Sequence, residues 1–307
     1  MNNLYKNLPK HSSKKRLFLV FISGLISGIV LSILGLFYLA YSYPEEIKDT
    51  RTISRGKVIL ELYPEHAKLL KDSDAWLAQL NDAYLALKDL VGYVPYDGNA
   101  IVIKEFPENE LNGAELLAGN PIKWLDKSVS EKLKAVNEFD DFNYGLIHEL
   151  GHNFDIPNYN YLEGSGDIIN AEQWANLKLI YVADVLSKKY PHLNFYQDKV
   201  GYVPIGEFPR KYFFDIFTRE WLTSKDKNWK EMYHDVYTGL LYSLTEKYGW
   251  EPFKKTFREY NTYNTTSNPI PTDDLGKIQL FADLLSKHAG SGNDIKEQFR
   301  SWGIPIK

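Results

Sequence analysis

The sequence predicts an α+β protein, with a small N-terminal sheet portion, a mostly helical C-terminal portion and one transmembrane helix ahead of both. Three observations carry this. Short apolar runs of strand length, at 57–62 and 100–103, fall before residue 140. Beyond it, apolar residues recur at helical spacing over 170–189, 230–248, 252–260, 273–289 and 293–302. The run 17–43 carries no charge and exceeds the about 20 residues that span a bilayer as a helix.

At the N-terminus, residues 1–16 hold Lys6, Lys10, Lys14, Lys15 and Arg16 and no acid, a basic tail of +5. The uncharged run 17–43 reads as an uncleaved signal anchor, followed by Glu45 and Glu46. Positive charge on the near side predicts a single-pass protein at the cell membrane, N-terminus in the cytoplasm and the rest outside. Tyr38, Tyr41 and Tyr43 would sit at the outer interface, and Gly24 and Gly28 give a GxxxG spacing. The competing reading is a signal peptide cleaved after Ala40-Tyr41-Ser42. With a net charge of −4 overall, residues beyond the tail carry −9, which speaks against nucleic-acid binding. Cysteine is absent, so any metal must take histidine and carboxylate ligands.

Residues 44–56 read as a stalk and 57–307 as one domain. Residues 57–62 (KVILEL) predict a strand. Residues 73–93 predict an amphipathic helix, with Trp76, Leu77, Leu80, Tyr84, Leu85, Leu87 and Leu90 as its apolar positions, Ser73 as N-cap and Gly92 at its stop. Asp97-Gly98 marks a turn, 100–103 (AIVI) a buried strand, and 116–122 (LLAGNPI) an edge strand broken by Gly119 and Pro121. A helix from about 141 to 154, capped by Asp140 or Asp141, then a turn-rich loop at 157–167, lead to the helix at 170–189.

The first of these two helices contains His148-Glu149-Leu150-Gly151-His152, an HExxH motif. Residues four apart share a helix face, so both imidazoles reach one metal ion with Glu149 beside them. A catalytic zinc usually takes a third protein ligand and leaves one position open. A histidine six residues on is ruled out, because that position is Asn158, with Asp155 where the accompanying glycine would stand. Glu172, 20 residues after His152 in the first turn of the next helix, suits a return antiparallel to the motif helix. Glu163 and Asp167 in the intervening loop compete with it. Gly151 suits close approach of another element.

The stretch HELGHNFD, then a glutamate opening a helix with Asn176 four residues on, resembles the enhancin-like metallopeptidases. This gluzincin family, metallopeptidase family sixty, includes viral enhancins and bacterial mucin-targeting peptidases. Tyr248-Gly249-Trp250 followed by PFKKTFREY, then KIQLFADLLSKHA and the ending Phe299, Trp302, Gly303, Ile304 and Pro305 resemble its C-terminal part. AGNPI at 118–122 resembles its Gly-Tyr-Pro-Ile segment, with Asn120 in place of the aromatic residue. The resemblance covers roughly 100–307 and implies a zincin (gluzincin-like) catalytic domain. It implies His148, His152 and Glu172 as ligands of a zinc ion (Zn2+) and Glu149 as general base. Asn153 and Asn176 are candidates to orient the ligands, and Tyr202, His192 and His234 to stabilise an oxyanion. The expected function is a membrane-anchored zinc endopeptidase acting on proteins, glycoproteins or mucins among them. The alternative is a catalytically weak or inactive glycoprotein-binding protein on the same fold.

Overall fold

The computed structural model describes residues 49–107, 114–155, 171–263, 269–290, 292 and 294–307. Residues 49–307 form one compact unit. The basic tail, the run 17–43, the loop at 157–167 and the rival ligands Glu163 and Asp167 lie outside the described residues.

The unit opens on a sheet of five strands. These are β1 (Arg51–Arg55), β2 (Val58–Leu62), β3 (Ile101–Phe106), β4 (Leu116–Leu117) and β5 (Ile122–Leu125), in the order β1-β2-β3-β5-β4. β2, β3 and β5 run parallel; β1 and β4 are antiparallel edges. A parallel pair needs a crossover, and α1 (Ser73–Val91) supplies the one between β2 and β3. Val58, Leu60 and Leu62 alternate with half-buried residues in β2 and are fully buried, as are Trp76, Leu77, Leu80, Leu87 and Leu90 of α1. α1 is capped by Asp72, whose side chain accepts from Ala75 N, one residue before the expected Ser73. It ends at Gly92 in the left-handed region.

Three local expectations change. β1 lies within the expected stalk, paired along its whole length with β2. The broken edge strand at 116–122 is two strands: β4 at the edge and β5 inside, joined through Gly119 and a cis Asn120–Pro121 bond. Residues 126–139, for which no element was expected, form α2 (Asp126–Phe139). Only Val129, Leu133 and Val136 mark its inner stripe in an otherwise charged stretch.

The motif helix α3 spans Tyr144–Asn153 and its successor α4 spans Ala171–Ser187. α3 starts later than expected because residues 140–142 are held by another partner. Phe142 N donates to Asn194 O at 2.8 Å and Asn194 N donates to Asp140 O at 3.0 Å. The cap is therefore Asn143, whose side chain accepts from Leu146 N. Asn194 opens the hairpin β6 (Asn194–Gln197) and β7 (Gly201–Pro204), which was not expected either. After it, a wide-turn helix at Pro209–Thr218 continues into Arg219–Thr223.

The C-terminal helices α5 (His234–Tyr248), α6 (Glu251–Tyr260), α7 (Asp274–Ala289) and α8 (Asp294–Ser301) match the helical spacing of the sequence. Three of them meet at Trp174 of α4, whose ring lies 6.5 Å from Tyr237, 6.1 Å from Phe257 and 5.0 Å from Phe281. α4 is thus covered on several sides, and it holds the motif helix from within the core.

The expected membrane location is corrected. Among the described residues no helix is long and apolar enough to cross a membrane. α1 has the length, at 19 residues, but carries Asp74, Asp82, Lys88 and Asp89 on its outer side. Its apolar stripe serves the sheet, as in an ordinary amphipathic helix.

Candidate metal centre

Helix pitch places His148 and His152 one turn apart on α3, and the return of α4 brings Glu172 to them. The helices can approach because of Gly151. A Cβ there would lie 3.1 Å from Ala175 O and 3.3 Å from Ala175 Cα. The three residues offer ligand atoms that all lie within 4.8 Å of one another.

The distances are tighter than that limit. His148 Nε2 stands 3.0 Å from Glu172 Oε2 and 3.1 Å from His152 Nε2, and His152 Nε2 stands 3.6 Å from Glu172 Oε1. Ligands about 2.0–2.1 Å from a tetrahedral ion are separated by about 3.3 Å. The three atoms therefore form a face of nearly that tetrahedron.

The other ring nitrogens are committed elsewhere. His148 Nδ1 donates to Asn176 Oδ1 at 2.8 Å. That oxygen also accepts from Tyr144 Oη at 2.8 Å, and Asn176 Nδ2 donates to Asp235 Oδ1 at 3.0 Å. His152 Nδ1 faces Asp155 Oδ2 at 3.4 Å. Asp155 is in turn bound by the buried Lys178, which also donates to Gly151 O at 2.9 Å. With both Nδ1 atoms serving as donors, both Nε2 lone pairs point at the same space as the Glu172 carboxylate. Three acceptors so placed repel one another unless a cation lies between them. A proton relieves one pair; a metal ion relieves all three.

The electrostatics agree. The hydrogen bond from His148 holds the Glu172 carboxyl at about 2 against the opposing effect of burial, and the charges of His148, His152 and His234 add to it. Burial pulls the His148 imidazolium down, but the Glu172 hydrogen bond and the charges of Glu149 and Glu172 leave it raised.

Glu149 is half-buried and lines an open cleft of about 430 Å³ with His152, Glu172, Leu116 and Leu117. Of the two asparagines, only Asn176 touches a ligand. Asn153 accepts from Tyr96 Oη and Gly119 N, each at 2.9 Å, and donates to Gly119 O at 2.9 Å. It clamps the chain leaving β4, and so shapes the cleft wall. Among the oxyanion candidates, His234 is close enough for its charge to act on Glu172. His192 is exposed beside another cleft, and Tyr202 stacks on Phe139 in the hairpin. Asp235, Tyr144 and Lys178 were not anticipated. Their roles arise from contacts across α3, α4 and α5, and the local sequence carries no signal for them.

No family model matches the chain. Over 197 residues it is 28% identical to a TRPM8 channel-associated factor homolog from Danio rerio, which covers 62% of this chain and 18% of that protein. The chain thus spans about a fifth of the length of that curated relative. Among solved structures, a functionally unknown conserved protein from Bacillus anthracis superposes with a TM-score of 0.59 at 16% identity, over 84% of this chain and 49% of that one. The ZmpB metallopeptidase from Clostridium perfringens superposes with a TM-score of 0.54 at 16% identity, over 92% of this chain and 51% of that one. The chain therefore has a mixed α+β, metallopeptidase-like fold, and its described residues bring two histidines and a glutamate together where a metal ion fits.

Proposed function

We propose that residues 57–307, with strand β1, form a zinc endopeptidase of the gluzincin, enhancin-like type. It hydrolyses peptide bonds in proteins, glycoproteins or mucins among them. The observation that carries this reading is the convergence of His148 Nε2, His152 Nε2 and the Glu172 carboxylate while both Nδ1 atoms are occupied. A zinc ion held there would supply Lewis acidity toward the scissile carbonyl and lower the pKa of a water to about 7.

The chain's own groups do the rest. Glu149, beside the ligands on the cleft wall, takes the proton of the attacking water and hands it to the departing amine. Strand β4 is a sheet edge that also lines this cleft. Among the described residues β4 has no further strand on its outer side, and an extended peptide pairing there would align the scissile bond. His234, close enough for its charge to act on Glu172, would donate to the developing oxyanion. Asn176 and Asp155 fix the two imidazole orientations.

The test combines metal analysis with turnover. Wild-type protein should carry about one zinc per chain and cleave a denatured protein substrate, with activity abolished by chelation and restored by zinc. Glu149→Ala should keep the zinc and lose about 100- to 10,000-fold in kcat, as loss of a general base does. Cleavage that survives complete metal removal overturns the reading. Glycoprotein binding by both forms with cleavage by neither favours an inactive binding protein instead.

A further inference from the structure

A second cleft, of about 930 Å³, lies at the other end of the motif helix. It runs between α2 and the β6–β7 hairpin, with Tyr144 and Gly145 at its inner end. Leu116 lines both this cleft and the one that holds Glu149 and Glu172, so the two adjoin at the edge strand. Tyr144 of this cleft also stacks on His148, with ring centroids 6.0 Å apart.

The cleft carries an exposed aromatic platform. Phe139 is 48% exposed, Tyr196 39% and Tyr202 38%. The Phe139 and Tyr202 rings stack at 4.6 Å, and Tyr196 leans on Tyr202 at 4.9 Å. The fold holds them there on purpose-built supports. Tyr196 and Tyr202 are cross-strand partners in the hairpin. Phe139 is the last residue of α2, before Asp140 turns the chain at a φ of 51°. The hairpin is then fastened to the entry of the motif helix by the Asn194 hydrogen bonds. Clustered exposed aromatics of this kind mark binding surfaces more often than chance exposure does.

Charge selects the occupant. Five carboxylates line the cleft against three lysines. Glu131, Glu138 and Asp141 act on the Tyr202 phenol, and Asp198 accepts a hydrogen bond from Tyr196. Aromatic faces are themselves negative and attract cations. A neutral sugar would gain from stacking and from hydroxyl hydrogen bonds to the carboxylates, but not from charge attraction. A lysine or arginine side chain gains from the rings and from the carboxylates around them.

We propose that this cleft is a specificity subsite for a lysine or arginine side chain of the polypeptide substrate. This rests on the peptidase reading, since an extended peptide paired with β4 would pass from the Glu149 cleft into this one. The chain then prefers cationic polypeptides, with the basic residue held beside the Tyr144 end of the motif helix.

The experiment uses the full chain loaded with zinc, with Glu149→Ala to separate binding from turnover. The probes are two short unstructured peptides, identical except for one lysine or one glutamine. Calorimetry should show the lysine peptide binding about 5- to 20-fold more tightly, with the preference shrinking at high salt. Tyr202→Ala and the rim reversal Glu138→Lys should abolish the preference while leaving zinc content unchanged. Equal affinity for the two peptides overturns the subsite, and so does saturation by a neutral oligosaccharide in preference to the lysine peptide. If the Glu149-intact protein binds the lysine peptide selectively but cleaves neither, the peptidase reading fails and the subsite stands. If it cleaves both equally, the subsite fails and the peptidase stands.

Discussion

His148 engages a partner at each end of its ring, and the two ends have different jobs. Nε2 faces Glu172 and His152, while Nδ1 is held by Asn176. Asn176 is held in turn by Asp235 and Tyr144. Asn176→Ala should therefore do more than remove one hydrogen bond. It frees the His148 ring to turn and strips a partner from buried Asp235. We expect zinc affinity to fall about 10- to 100-fold, read by chelator competition, with the helical circular-dichroism spectrum unchanged. Unaltered affinity would mean that the motif helix alone orients the ring. Asp235 gives a second test. Burial pushes its carboxyl up to about 6, against the partly compensating charges of His148 and Lys199. Its stabilising contribution is full below the ordinary value of 3.8 and is lost as pH rises through about 6. Ionisation should cost the metal-free protein about 3 kcal/mol across that window. Asp235→Asn, which mimics the protonated acid, should melt with a flatter pH dependence than wild type between about pH 4 and about pH 7. Parallel curves for the two proteins would assign the slope to His148 or another group.

At the scale of elements, the site depends on how closely α3 and α4 pack. Gly151 sits against the Ala175 backbone, where nothing flexible can move aside. Gly151→Ala adds one methyl group at 3.1 Å from Ala175 O but gains helix propensity of about 1 kcal/mol, so the two effects nearly cancel. Gly151→Val adds branching with a smaller propensity gain. It should cost about 1–3 kcal/mol in denaturant unfolding and weaken zinc binding as the helices separate. A variant with full stability and full zinc affinity would show that the helices have room to spare. The same spacing brings the Glu172 carboxylate to the two histidines. It stands in the first turn of α4, opposite the last turn of α3. The strands follow a similar logic. β2 and β3 were legible because Val58, Leu60, Ile101 and Ile103 repeat at the period of a pleat. The hairpin at 194–204 was not, because Tyr196 and Tyr202 face outward and leave only Phe195 and Val203 to signal a core face.

For the whole molecule, three distant stretches converge on one centre. α3 brings the histidines, α4 brings Glu172 and Asn176, and α5 brings Asp235 and His234. The C-terminal helices brace this arrangement through Trp174, which explains why helical periodicity continues so far beyond the motif. The two clefts adjoin at Leu116 of the edge strand. The sequence by itself determined what local geometry governs. A four-residue spacing puts two imidazoles on one face at any place in any fold, since the helix pitch requires it. Apolar spacing likewise fixed most of the helices. It could narrow the third ligand to a few carboxylates and the orienting groups to two asparagines. Among the described residues, only the tertiary structure brought Glu172 to the histidines and told the two asparagines apart, because contact between residues far apart in the chain depends on how whole elements pack. Packing placed Asn176 on His148 and Asn153 on the cleft wall. It also moved Tyr202 from the chemistry to an aromatic platform and recruited Asp235 and Lys178, neither of which any local pattern could announce.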